Sequence, residues 1–190
     1  MKIYLATTSP RRQELLKKAG IPFEIITPSF EEGPTKLSAP DEALFFAEQK
    51  VRSVEKKCPN AWIVGSDTLI ECQGKKLGKP KDKEDAAQML TFLSGKTHNL
   101  FTAVVALNTA DQTLKKHLEK VLVTFKPLTQ KMIDDYIATR EPFGKAGAYA
   151  VQGKGAALLE KIDGDIEAVI GLPTTPILKW FETRFPYPDT

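Results

Sequence analysis

Apolar residues fall alternately into short continuous runs and helical stripes, a pattern that predicts an α/β protein. Ile3-Tyr4-Leu5-Ala6 reads as a strand. It leads into an amphipathic segment with Leu15, Leu16 and Ala19, for which Ser9 is a good N-cap and Pro10 a good first helical residue. Residues 23–27 read as a second strand and 28–37 as a loop. Ser38, with Asp41 three residues on, opens a helix striped by Leu44, Ala47, Val51 and Val54 that stops near Lys57, before Pro59. A strand over 61–72 meets a turn at Gln73-Gly74. Asp82 caps a helix containing Ala86, Ala87, Met89, Leu90 and Leu93, and Gly95 closes it. Long strands over 99–107 and 115–125 flank a polar turn, which predicts a hairpin. Residues 129–138 read as a helix, 142–155 as a glycine-rich loop or irregular strand, 156–162 as a strand, and about 174–184 as a last helix. No repeat or low-complexity linker interrupts the chain, so residues 1–190 read as one domain with a mixed sheet. The hairpin argues against a purely parallel, doubly wound arrangement.

Composition narrows the class of function. At 190 residues the chain can bury a sizeable core, and 42% hydrophobic with 27% charged residues is ordinary for a soluble globular protein. The net charge of +3 is small and both signs are interspersed, so no stable nucleic-acid binding is expected. No stretch has the length or apolarity of a signal peptide or a membrane span, which makes the cytoplasm the expected compartment. Cys58 and Cys72 form no C-x-x-C motif, and together with His98 and His117 they do not compose a zinc site. Any metal would be held by carboxylates, hence a hard divalent cation such as Mg²⁺ or Mn²⁺.

Charge placement points to chemistry. Arg11 and Arg12 stand at a helix start, where the helix's own dipole favours anions. Two cations there suit a docked phosphate; the alternative is a solvated turn with Arg11 offset by Glu14. Asp67 interrupts an apolar strand run, and a buried carboxylate needs a partner or a metal. Lys50 lies on the rim of its helix's apolar stripe, and Lys79 and Lys145 lie in turns; each could be solvated. Glu31-Glu32 in a loop is an ordinary solvated pair unless a metal site exists. Ser94-Gly95-Lys96-Thr97 is rejected as a P-loop tail, since Leu90 stands where the motif needs glycine and the stretch closes a helix. Without a serine or cysteine nucleophile partnered to histidine, the set suits hydrolysis of a phosphoanhydride by metal-activated water.

Several segments, in order along nearly the whole chain, resemble the Maf family of nucleoside triphosphate pyrophosphatases. They are Leu5-Ala6-x-x-Ser9-Pro10-Arg11-Arg12-x-x-Leu15-Leu16, Gly65-Ser66-Asp67-Thr68, Leu77-Gly78-Lys79-Pro80, Leu93-Ser94-Gly95-x-x-His98, Lys145-Ala146-Gly147-Ala148-Tyr149-x-x-Gln152-Gly153 and Val169-x-Gly171-Leu172-Pro173. The resemblance implies cleavage between the α- and β-phosphates to a monophosphate and pyrophosphate. It implies an elongated α/β domain with a mixed, strongly twisted sheet and a cleft between two lobes, similar to inosine triphosphatase and often a homodimer. Asp67 matches the proton acceptor, and Glu32 an acidic position linked to metal and catalysis. Ser9, Arg11, Arg12, Lys50 and Lys79 match triphosphate-holding positions, and Lys145 falls in a matched block as a further substrate contact. Thr68 and Gln152, with Arg11 as a third position, resemble the branch acting on dTTP and UTP, which extends to modified pyrimidine nucleotides in a house-cleaning role. Gly144 departs from the family, which usually has an acidic residue there, and Ala150 replaces a common glycine. The family's association with septum formation supplies the alternative, a regulatory nucleotide-binding protein without turnover.

Overall fold

The structure is a computed structural model and describes residues 1–182. Two strand–helix alternations and a third strand open the chain: β1 (Ile3–Ala6), α1 (Pro10–Lys18), β2 (Glu24–Ile26), α2 (Ala39–Arg52) and β3 (Trp62–Cys72). Then come β4 (Lys75–Leu77), α3 (Lys83–Leu93), β5 (Thr97–Asn108), β6 (Leu114–Phe125), α4 (Gln130–Ala138), β7 (Leu159–Asp163), α5 (Ile166–Ile170) and α6 (Thr175–Phe181). The strands follow the order β2-β1-β3-β5-β6-β7, with β4 on β3. The sheet is mixed, as the sequence predicts: β1 is parallel to both β2 and β3, whereas β3–β4 and β6–β7 are antiparallel.

The helix starts follow the sequence closely. Ser38 Oγ accepts from Asp41 N–H at 3.4 Å, Asp82 Oδ1 from Asp85 N–H at 2.8 Å, and Thr129 Oγ1 from Met132 N–H at 3.2 Å. Ser9 has the extended backbone of an N-cap, yet its hydroxyl makes no cap bond. Instead its N–H donates to Thr7 Oγ1 at 3.1 Å.

Other boundaries move. α2 ends at Arg52 rather than near Lys57, because Ser53 Oγ donates to the Lys50 carbonyl at 2.8 Å and Glu55–Lys57 winds into a separate 3₁₀ turn. β4 appears where only a turn was expected: Gln73 and Gly74 have φ of 50° and 77°, which folds Lys75–Leu77 back onto β3. Residues Gly153–Leu158 form a 3₁₀ segment, so β7 starts at Leu159 rather than at 156. α5 is an unforeseen single turn. α6 begins as expected, but the end foreseen at Arg184 lies outside the described residues.

The chain forms two compact units. The first comprises Met1–Asp67, Thr102–Glu119 and the residues from Gly171 onward; the second comprises Thr68–Phe101 and Lys120–Ile170. In the first, Leu5, Leu16, Ile63, Ala47 and Val51 are fully buried, and Trp62 packs edge-on against Phe181 at 5.3 Å. In the second, Phe125, Tyr149 and His98 form a buried ring cluster beside Leu90 and Leu93. His98 Nε2 lies 2.8 Å from Tyr149 Oη, and burial pushes its imidazole down to about 4.

Candidate active site

In the first unit β1 is followed by α1 and β2 on one side, and the chain then crosses through α2 to place β3 on the other side. The strand order therefore reverses between β1 and β3. Open α/β sheets bind ligands at such a reversal, beyond the carboxyl ends of the strands. The parallel pairing of β1 with β3 runs from Ile3↔Trp62 to Ala6↔Gly65. Ser66 and Asp67 lie immediately past its end, and the β1–α1 connection, with Ser9 and then Arg11 and Arg12 in the first turn of α1, leaves from the same end.

Gly65 permits the close packing that places them. A methyl group on it would lie 2.6 Å from Val51 Cγ1 and 3.1 Å from the Ala47 carbonyl oxygen, so β3 runs directly over α2. Lys50, on that face of α2, is thereby brought to Asp67. Its Nζ donates to Asp67 Oδ1 at 2.5 Å and to Glu32 Oε1 at 2.6 Å. Side-chain exposure is 11% for Lys50 and 6% for Asp67, against 34% for Glu32, so the Lys50–Asp67 pair is the buried one.

Arg12 closes the other side. Its Nε donates to the Gly171 carbonyl at 2.9 Å and its Nη1 to the Ser66 carbonyl at 2.8 Å. Ser66 Oγ also donates to the Gly171 carbonyl, at 2.7 Å. Two donors on one carbonyl fasten the Gly171 segment to the start of α1 and to β3. The sequence suggested Arg12 mainly as a phosphate ligand; two of its N–H groups are committed to the main chain, which makes it also the brace for Ser66-Asp67. Sequence reasoning missed this role of Ser66 and Gly171, since a carbonyl acceptor leaves no side-chain signature.

Burial pushes the Asp67 carboxyl up, against the pull of Lys50 and Arg12, and the nearby Glu32 charge pushes the same way. Burial likewise lowers Arg12, while Asp67 and Glu32 favour its charged form. A carboxyl raised in this way is a stronger base than an exposed aspartate once ionised.

Glu32 reaches Lys50 from the loop between β2 and α2, which is laid along α2 by three contacts. Ser29 donates twice to Ser53, its N–H to Oγ and its Oγ to the carbonyl, at 3.1 Å each, Phe30 packs on Phe46 at 5.7 Å, and Thr35 Oγ1 donates to the buried Glu42 carboxylate. Both Glu31 and Glu32 are exposed, but Glu32 is more than a solvated charge, because it pairs with Lys50. Arg11 is half-buried in the first turn of α1, and no ion pair joins it to Glu14 among the described residues. The alternative of Arg11 neutralised locally by Glu14 is therefore not what the structure shows.

The remaining candidates belong to the second unit. Thr68 follows Asp67 in β3 and is half-buried. Lys79 is exposed and Lys145 half-buried, and their segments meet where Gly147 N–H donates to the Gly78 carbonyl at 3.0 Å. Gly144 has φ of 74°, a conformation that favours glycine over the acidic residue usual there. Gln152 is exposed, with Gly153 at φ 74° after it.

No group of three or more His, Cys, Asp or Glu side chains among the described residues forms a metal cage. Asp67 and Glu32, two hard oxygen donors flanking one cation, nevertheless fit Mg²⁺ or Mn²⁺, which bind through one or two carboxylates with phosphate oxygens and water completing the shell.

Together these features define an α/β protein with a carboxylate–cation cluster at a strand-order reversal. The chain belongs to the Maf-like protein family, whose model matches residues 2–184. Among curated relatives, it is 45% identical over 179 residues to a dTTP/UTP pyrophosphatase of Carboxydothermus hydrogenoformans, covering 94% of this chain and 96% of that one. It is 43% identical over 183 residues to a dTTP/UTP pyrophosphatase of Bacillus pumilus, covering 96% of each. Among solved structures, the Staphylococcus aureus Ham1 protein aligns with a TM-score of 0.45 and 14% identity over 66% of this chain and 72% of that one. No helix among the described residues is long and apolar enough to cross a membrane.

Proposed function

We propose that this protein is a nucleoside triphosphate pyrophosphatase that converts dTTP and UTP to the monophosphate and pyrophosphate. The observation that carries the reading is Asp67, a buried carboxylate in β3 just past the end of its pairing with β1, held by Lys50 at 2.5 Å. The relatives named dTTP/UTP pyrophosphatase supply the substrate class.

Asp67 takes a proton from the attacking water. Oxygen adds to the α-phosphorus as the bond to the α–β bridging oxygen breaks, and pyrophosphate leaves. Lys50 holds the carboxylate directly and Arg12 braces the Ser66 main chain beside it, so no reorganisation is needed when the water arrives. Within the cluster, Arg12 and Lys50 balance Asp67 and Glu32. The roughly four negative charges of a triphosphate therefore need further cations. Ser9, Arg11, Lys79 and Lys145 bind the phosphates. Asp67 and Glu32 would hold a divalent cation, which supplies charge neutralisation and polarises the phosphoryl group. Gln152, with a donor and an acceptor on one amide, pairs the pyrimidine edge, and Thr68 and Arg11 complete the choice of base. The substrates are cytoplasmic nucleotides, and the cytoplasm is the compartment proposed for the enzyme.

The test is a substrate panel of dTTP, UTP, 7-methyl-GTP and ATP with Mg²⁺, read as pyrophosphate released. The expected order is dTTP and UTP well above the two purine nucleotides. Release from none of them, or a preference for 7-methyl-GTP, refutes the assignment.

A further inference from the structure

The loop carrying Gln152 is clamped two residues to either side of it. On the near side, Ala150 N–H donates to Tyr136 Oη at 3.1 Å. On the far side, Lys154 N–H donates to Glu141 Oε2 at 3.0 Å. Tyr136 lies in the last turn of α4 and Glu141 in the turn that follows the helix, and Thr139 joins them: its Oγ1 accepts from Glu141 N–H at 3.2 Å and donates to the Tyr136 carbonyl at 2.7 Å.

The loop is also fitted to the clamp sterically. A methyl group on Gly153 would lie 2.6 Å from Glu141 Oε1, and one on Gly155 would lie 2.2 Å from the Ala150 carbonyl oxygen and 2.7 Å from Tyr136 Oη. Any side chain at either position would push the loop off its two acceptors. Tyr136 is 3% exposed, so its hydroxyl is fixed by packing, whereas Gln152 is exposed. A rigid, buried support therefore carries an exposed amide on a short arc of four peptide units. A side chain that reads a base edge by hydrogen bonds needs such support, because small displacements forfeit the geometry.

We infer that Tyr136 and Glu141 are positioning residues for base selection, fixing the Gln152 arc without touching substrate themselves. The inference rests on the proposed pyrimidine nucleotide site.

It predicts a separation between base-dependent and phosphate-dependent binding. In Tyr136→Phe, the Kd for dTTP and the KM for dTTP and UTP rise about tenfold, the scale of one buried N–H left without its acceptor, and Glu141→Leu, which frees the exposed Lys154 N–H, raises them in the same direction by less. Inhibition by inorganic tripolyphosphate, which has no base, stays at the wild-type Ki. Glu141→Gln, which keeps an oxygen acceptor for Lys154 N–H, restores the wild-type KM. Loss of dTTP and tripolyphosphate binding in equal proportion, with an unchanged ratio, would mean a general structural role and overturn the inference. So would an unchanged dTTP Kd in both variants. Glu141 lies in the turn after α4 and accepts from an exposed N–H, so its variants remain testable even where Tyr136→Phe folds poorly. Wild-type protein that binds dTTP without cleaving it would refute the hydrolytic reading while the Kd ratio still decides the clamp.

Discussion

Lys50 shows how much one side chain's position can change its meaning. On a helical wheel it sits at the edge of an apolar stripe, where a lysine ordinarily extends its ammonium to water. In the fold, a glycine at position 65 draws β3 onto that edge, and the ammonium is buried between Asp67 and Glu32. Asp67 was legible in the sequence because a carboxylate inside an apolar strand demands an explanation. Its cation was legible only as one of several candidates, since the pairing spans residues 17 positions apart. His98 was less legible still. It is 2% exposed, and its Nδ1 has no hydrogen-bond partner, so the ring is accommodated only as the neutral form. Its folded value of about 4 lies below the ordinary 6.5, so the folded state binds fewer protons than the unfolded chain between those values. The contribution is thus intact above pH 6.5 and is lost as pH falls to about 4, by about 3 kcal/mol in all. Urea titrations across that range will show this slope in wild type and a shallower one in His98→Gln; equal slopes would contradict the burial argument.

Elements with strong local signals were the readable ones. The capping residues Ser38, Asp82 and Thr129 each perform the bond that their position implies. Ser9 does not, and it is the cap whose surroundings, two arginines at a helix start, already conflicted with helix stability. The weak signals were the short elements. A three-residue strand such as β4 is too brief to show alternation, and in the glycine-rich stretch the backbone bonds to the side chains of Tyr136 in α4 and Glu141 just after it rather than to a ladder. The contact between β3 and α2 matters most for the site. Gly65→Ala should cost about 1–3 kcal/mol by overpacking against Val51 and the Ala47 carbonyl, because the backbone oxygen has no rotamer to escape through. Chemical denaturation measures the cost. The same variant should lose activity beyond its loss of folded protein, since Lys50 and Asp67 separate together. A fully active, fully stable variant would show that the approach is not needed.

Across the whole molecule, neither unit is continuous in sequence: the first gathers Met1–Asp67, a length of the hairpin, and the residues from Gly171 onward. That interleaving explains why no linker appears in composition and why the Gly171 carbonyl, 159 residues from Arg12, can be part of its brace. Spacing alone could not have joined them. The mixed sheet, by contrast, followed from the predicted hairpin beside parallel strand–helix units. The charge balance of the cluster, two cations and two carboxylates, leaves the protein's net +3 to be spent elsewhere on a polyanionic ligand. In the proposed reaction this cluster hydrolyses the α–β phosphoanhydride with Asp67 as the base. Phosphorus NMR of dTTP with Mg²⁺ and either wild-type protein or Asp67→Asn tests it most directly. The predicted result is dTMP and pyrophosphate from wild type, slowed about 10²–10⁴-fold in the variant, the range for a lost general base. Formation of dTDP and orthophosphate, or pyrophosphate released equally fast by Asp67→Asn, would contradict it.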